Sequence, residues 1–135
     1  MGGMKRGLKI VGIVLAVLII AGFGIFLWLT NAAKNELNSM VYENVDMNSV
    51  SDGKYYGETD AGLVFVRVRV TVKDHVIKTV EIIEHRNGMG SKAESVTERI
   101  IGENSYDVDA VSGATLSSEA IKSAVSKALK EGLGE

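Results

Sequence analysis

Hydroxyl side chains cluster near the C-terminus, in the stretch DAVSGATLSS at residues 109–118. Four hydroxyl residues stand there, between a short apolar stretch and an amphipathic helical pattern: Ser112, Thr115, Ser117 and Ser118. A helix cap at Ser117 and a left-handed turn at Gly113 would explain one of these hydroxyls. The others suit a backbone that a ligand approaches closely. Because a helix N-terminus offers unpaired N–H groups and a positive potential, the pattern favours a phosphate or another anion.

A second candidate stretch is rich in glycine and precedes a predicted helix. Gly88, Met89 and Gly90 open the sequence GMGSKA, which fits the dinucleotide-binding pattern G-x-G-x-x-A. A dinucleotide-binding fold also needs repeated strand–helix–strand units, whereas this chain begins with a hairpin and is too short. The stretch is therefore interpreted as a loop followed by a helix cap, with Ser91 and Glu94 as a capping box.

The elements that must position these stretches indicate an α+β domain. Period-two alternation from Val66 to Val72 predicts a half-buried strand, and VIKTVEIIE at 76–84 predicts the returning arm of an antiparallel hairpin. A short strand, KYYGET, precedes them and should end at Gly57. Helical spacing predicts one helix that stops at Gly102 and a second after the hydroxyl cluster, with a brief strand, YDVDAV, between them.

The N-terminal part has a different composition. Twenty residues from Ile10 to Leu29 carry no charge, and as a helix they would extend about 30 Å, the thickness of the hydrocarbon core of a bilayer. The run shows no polar stripe, which favours a single transmembrane helix over a core helix. A cleaved signal peptide is the alternative, although its apolar stretch is usually shorter.

The charges beside this run predict its orientation. Lys5, Arg6 and Lys9 precede it, while Lys34 follows beside Glu36. The positive-inside rule places the N-terminus in the cytoplasm and the domain outside it, on the cell membrane. We therefore expect a cytoplasmic N-terminus at 1–9, an anchor at 10–29, a stalk at 30–53 and a folded domain at 54–135.

The charge and composition after the anchor exclude several functions. This part has 12 basic and 17 acidic residues, a net charge of −5, which argues against nucleic acid as a partner. The chain has no cysteine, so disulfides, thiol chemistry and iron–sulfur ligation are excluded. Two histidines, His75 and His85, are too few for an ordinary zinc or haem site. Redox chemistry would therefore need an organic cofactor.

The stretch DAVSGAT at 109–115 resembles the flavinylation motif D-x-x-(S/T)-G-A-T of the FMN-binding domain family. That family includes the C subunit of the sodium-translocating NADH:quinone oxidoreductase, the G subunit of Rnf-type complexes and small exported electron carriers. The resemblance extends from about residue 52 to residue 131, through the sequences DGKYYGET, VRVRVTVKDHVIKTVEIIEH and DVDAVSGATLSSEAIKSAVSKAL.

The resemblance implies a cofactor and a site. A separate flavin transferase would join the phosphate of FMN to the hydroxyl of Thr115. The residues implied to bind the cofactor are Thr115, Asp109, Ser112, Gly113, Ala114, Leu116, Ser117, Gly88, Met89 and Gly90. No catalytic residue and no metal are implied.

Three functions are compatible with this sequence. The first is a membrane-anchored flavoprotein that carries electrons between an unidentified donor and acceptor, and is a carrier rather than a stand-alone enzyme. The second is a membrane-tethered module that binds FMN or another anion without a covalent bond. The third is a subunit of a membrane oxidoreductase complex. The mass of the native protein distinguishes the first two.

Overall fold

The computed structural model describes residues 2–86 and 91–133. A long helix, α1 (Gly2–Ser39), is followed by a short 3-10 helix at Met47–Ser49. Three strands and two further helices complete the described chain: β1 (Gly53–Asp60), β2 (Phe65–Lys73), β3 (Val76–Arg86), α2 (Val96–Glu103) and α3 (Thr115–Glu131), with a 3-10 helix at Ser91–Ser95 before α2. The predicted α+β class, with an apolar N-terminal helix, an antiparallel sheet and two main helices, is confirmed.

Residues 1–35 and 36–135 form two separate compact units. The first unit consists of α1 up to Asn35. Helix α1 has a mean hydropathy of 3.0 over its most apolar window, and none of that window is buried by protein. A helix that is apolar all round and uncovered by protein has the length and composition to cross a membrane. A signal sequence near an N-terminus has the same length and composition.

The sheet has the order β1-β2-β3, and both pairs are antiparallel. The valines of β2 all point to one face and are buried: Val66, Val68, Val70 and Val72. On the opposite face Arg67 pairs with Glu58 at 3.1 Å, and Arg69 pairs with Glu81. The predicted half-buried strand with one solvated face is therefore confirmed, as period two requires.

Strand β1 continues beyond its predicted end at Gly57 to Asp60. Gly57 is buried in the middle of the strand, where a Cβ atom would lie 2.0 Å from the carbonyl oxygen of Ala124. This glycine permits the close approach of α3 to the sheet and does not end the strand.

The turn between β2 and β3 is formed by Asp74 and His75, which have φ angles of 52° and 63°. Two consecutive residues with positive φ match the right-handed twist of a tight hairpin. Three contacts hold the turn: the Asp74 N–H donates to the Asp52 carboxylate at 2.8 Å, the Asn104 amide donates to the His75 carbonyl at 3.0 Å, and His75 Nδ1 lies 3.0 Å from the Val50 carbonyl. His75 therefore has a structural role.

Helices α2 and α3 cover the valine face of the sheet, α3 over β1 and β2 and α2 against β3. Ala93, Val96 and Ile100 are buried, as their helical spacing predicted. The helix ends one residue after Gly102, with Asn104 as a left-handed C-cap. The predicted strand YDVDAV does not form. Residues 106–111 are irregular and pair with none of the described strands, although Val108 and Val111 are buried in the core.

The predicted capping box before α2 is wrong. The backbone at Ser91–Ser95 is a 3-10 helix, and the α-helix begins only at Val96, with Ser95 in the N-cap position and no side-chain cap. Glu94 therefore precedes the helix, and its carboxylate lies 3.3 Å from His85 Nδ1. Glu94 thus contacts a residue of β3, which the local sequence pattern did not predict.

The segment between α1 and β1, predicted as part of a stalk, has contacts with the domain. Val50 is fully buried, and Met40, Val45 and Met47 pack partly against the core. The Glu43 N–H donates to Ser126 Oγ at 3.1 Å, so this segment lies along α3.

Candidate functional site

The loop before α3 makes a tight turn. The Ala114 N–H donates to the Val111 carbonyl at 3.0 Å, and Gly113 has a φ of +81°. This φ confirms the predicted left-handed conformation of Gly113. Glycine suits the position because most side chains are disfavoured at that φ. Helix α3 then begins at Thr115.

The prediction that Ser117 caps α3 is wrong. The N-cap residue is Ala114, and no side chain caps the helix. Ser117 lies inside the first turn and is 6% exposed. Ser117 is the third residue of α3 and lies three positions after the N-cap residue, so it is too deep in the helix to be its cap.

Ser118 holds the loop against the helix. Its side chain is fully buried, and its Oγ accepts the Val111 N–H at 3.0 Å. Its own N–H donates to the Ala114 carbonyl at 2.9 Å. Ser118 therefore satisfies a buried backbone donor that the turn would otherwise leave unpaired.

The hydroxyl residues of the motif differ in their exposure to solvent. Ser112, Gly113 and Thr115 are exposed, as is Asp109, while Ala114 and Leu116 are partly buried. Thr115 is thus an accessible hydroxyl in the first turn of a 17-residue helix that has no side-chain cap. Backbone N–H groups at such a helix end attract an anion, so the geometry suits a phosphate bound at Thr115.

Arg99 links α2 to this loop. Its Nη1 donates to the carbonyl oxygens of Asp109 at 2.9 Å and Ala110 at 3.2 Å. The guanidinium fixes the start of the motif and adds positive charge beside it. Sequence analysis missed this residue, since Arg99 lies on the polar side of a helix pattern and only the fold brings it to the loop.

A polar and aromatic cluster lies one helical turn beyond Thr115. The Tyr42 hydroxyl donates to the Glu119 carboxylate, and Lys122 Nζ lies 3.2 Å from the other oxygen of Glu119. The Tyr42 ring is stacked on Tyr106, with ring centroids 6.2 Å apart and an angle of 15° between planes. Burial, and then the hydrogen bond to Glu119, raise the pKa of Tyr42 above its usual value, so its phenol stays neutral.

Gly88, Met89 and Gly90, predicted to contact the cofactor, lie outside the described residues. His85 is the last residue but one of β3 and lies opposite Val66 in the sheet register. Its side chain is 6% exposed, and among the described residues its Nε2 has no hydrogen-bond partner. In the same part of the chain, no three His, Asp or Glu side chains are grouped to hold a metal ion.

The geometry of this helix end agrees with the comparison with known families. The family model of the FMN-binding domain matches residues 64–130, a range that includes β2, β3, α2, the motif loop and nearly all of α3. No solved structure matches the chain. The dinucleotide interpretation, already set aside for GMGSKA, is also inconsistent with an antiparallel sheet. Residues 64–130 of this chain belong to the FMN-binding domain family, and FMN is the cofactor of the domain.

Proposed function

We propose that this protein is a membrane-anchored flavoprotein that carries FMN on Thr115 through a phosphoester and transfers electrons outside the cytoplasm. The observation that carries the proposal is the accessible Thr115 hydroxyl at the uncapped start of α3. Ser112, exposed on the other side of Gly113, lies in the loop and not in the helix, so it lacks the helical amides that favour a phosphate.

The surrounding residues fit a phosphate at this point. Arg99 supplies positive charge at the loop, and Ser118 fixes the turn from inside the core. His85 Nε2 is a buried polar atom without a partner among the described residues, and in the sequence His85 precedes by three positions the segment 88–90, which we expect to border the flavin ring. Asp109 is exposed, where a flavin transferase that reads the motif would reach it.

The flavin would supply the electron chemistry, and the protein its attachment and surroundings. A covalent bond suits a carrier that works outside the cytoplasm, because a released cofactor would be lost by dilution. Helix α1 supports membrane attachment, and Lys5, Arg6 and Lys9 before its apolar part favour a cytoplasmic N-terminus. Under this proposal the protein is an electron carrier, and its partners are a flavin transferase, a donor and an acceptor.

The mass of the intact protein tests the attachment. The chain is expressed with and without a flavin transferase and measured under denaturing conditions. We expect the mass of FMN less one water to be added only when the transferase is present. An unchanged mass together with bound FMN in the native protein would instead favour a module that binds FMN without a covalent bond.

Protease accessibility tests the location. A protease added to intact protoplasts should remove the domain and leave a small anchored fragment. A fully protected domain would contradict the proposed orientation. A mature protein that lacks residues 1–29 would show that the apolar run is a cleaved signal peptide.

A further inference from the structure

Two stacked tyrosines, one of them bound to α3 through Glu119, have no role in the proposed attachment. Tyr42 follows α1, precedes the sheet and lies outside the region 64–130 that the family model matches. Tyr106 lies between α2 and the motif loop and is partly buried against the core. Their rings are nearly parallel, at an angle of 15°, and Tyr42 is 37% exposed. We call this pair the tyrosine platform.

The platform is fixed to α3 on both sides of Tyr42. Ser123 Oγ donates to the Val41 carbonyl, and the Glu43 N–H donates to Ser126 Oγ at 3.1 Å. The Tyr42 hydroxyl donates to Glu119, whose carboxylate also accepts a hydrogen bond from Lys122. The raised pKa of Tyr42, caused first by burial and then by Glu119, keeps the phenol protonated. The exposed ring is therefore held in one position.

Helix geometry relates the platform to Thr115. Glu119, the anchor of Tyr42, is four residues after Thr115 in α3, so the two side chains lie on the same face of the helix, about 6 Å apart along its axis. Tyr106 belongs to the loop that leads directly into Asp109. Tyr42 is thus bound through Glu119 to the face of α3 that carries Thr115, and Tyr106 stacks on Tyr42.

We infer that Tyr42 and Tyr106 form the surface on which the isoalloxazine ring of FMN stacks. This inference rests on the proposed attachment at Thr115. The ring of FMN is planar and aromatic, and aromatic side chains stabilise such rings by offset stacking. The tether keeps the flavin at a high effective concentration beside the platform. The segment before the matched region therefore contributes a residue to the flavin site.

The test uses the full chain, flavinylated in the presence of a transferase and held in detergent. Visible circular dichroism reports whether the flavin ring is fixed in a chiral environment, and flavin fluorescence reports contact with phenol rings, which quench it by giving an electron to the excited flavin and taking it back. In Tyr42→Leu and Tyr106→Leu we expect loss of most of the visible dichroism and a severalfold rise in flavin fluorescence. Tyr56→Leu is the control, because Tyr56 is 57% exposed on the outer face of β1.

Phenylalanine variants separate stacking from folding. Tyr106→Phe keeps the ring but removes the phenol, so the dichroism should remain while the quenching falls. If Tyr42→Leu, Tyr106→Leu and Tyr56→Leu all keep the dichroism and fluorescence of the flavinylated wild type, the platform does not bind the ring and the inference is wrong. If the wild type acquires no covalent flavin, the proposed attachment is wrong, and the platform fails with it.

Discussion

Helices α2 and α3 begin in different ways, although a serine or threonine stands near the start of both. Helix α2 continues directly from the 3-10 helix at Ser91–Ser95, so its first amides face the carbonyls of a preceding helical turn. Helix α3 begins abruptly at Thr115 from an irregular loop. The two also differ in what their hydroxyls do. Thr97 Oγ1 donates to the Glu94 carbonyl at 2.8 Å, whereas Thr115 is exposed.

The start of a helix is therefore not always able to bind an anion, since its N–H groups must also be accessible. At α2 the local donors and acceptors are already used by the preceding turn. At α3 the loop is held by Ser118 and Arg99, and Thr115 is exposed at the start of the helix, whereas Ser117 and Ser118 in the same turn are buried. The chain thus forms an accessible helix end at one place and a closed one at the other.

The largest expected effect is a loss of covalent flavin when the threonine at the start of α3, but not the one at the start of α2, is replaced. Thr115→Ala should abolish covalent flavin, since it removes the hydroxyl proposed to carry the phosphate, while the domain stays folded. The matched change at the other helix, Thr97→Ala, should leave covalent flavin unchanged. In-gel flavin fluorescence after denaturation, with a transferase co-expressed, measures both. A fluorescent Thr115→Ala band would place the attachment elsewhere.

A buried serine in α3 and an exposed serine before α2 should contribute differently to the free energy of unfolding. Ser118→Ala leaves the buried Val111 N–H without its acceptor, which should lower the free energy of unfolding by about 1–3 kcal/mol. Ser95→Ala at the start of α2 removes an exposed hydrogen bond to the Lys92 carbonyl and should change it by less than about 0.5 kcal/mol. Urea denaturation measures the difference. Equal effects would mean that Ser118 does not hold the loop.

Arg99 connects the two regions, and its removal should have a smaller effect on stability. Arg99→Met should lower the free energy of unfolding by about 1 kcal/mol, because two hydrogen bonds to the motif loop are lost. It should also slow flavin attachment, since the loop is less well fixed. Arg67→Met breaks an exposed ion pair on the outer face of the sheet and serves as the control. Attachment at the same rate in both variants would assign Arg99 a purely structural role.

The smallest effect concerns pH at the α3 end. Folding raises the pKa of Tyr42 above its ordinary 10.0, so folding favours the neutral phenol. The stability that depends on this neutral form is fully present below pH 10.0 and is lost as the pH rises beyond it. Wild type should therefore lose more stability than Tyr42→Phe above pH 10.0, while their difference stays constant at lower pH. Parallel loss in both proteins would contradict the role of this phenol.

Patterns that depend on neighbouring residues were predicted from the sequence alone. The apolar run at 10–29 predicted a long uncovered helix, and the alternating valines of β2 predicted which face of the sheet is buried. The motif at 109–115 indicated the FMN-binding domain family, which the match to residues 64–130 confirms. Such signals are reliable because helical and strand periodicity arise from local backbone geometry.

Only the tertiary structure decided which residues contact one another at the starts of the helices. Ser117 and the capping box at 91–94 fit local rules, yet Glu94 faces His85 instead, and Ser117 is buried in the first turn of α3. Tyr42 and Glu119 are 77 positions apart in the chain, and Arg99 reaches the motif only because α2 packs beside it. No local periodicity encodes such contacts, since they depend on which surfaces the folded chain brings together.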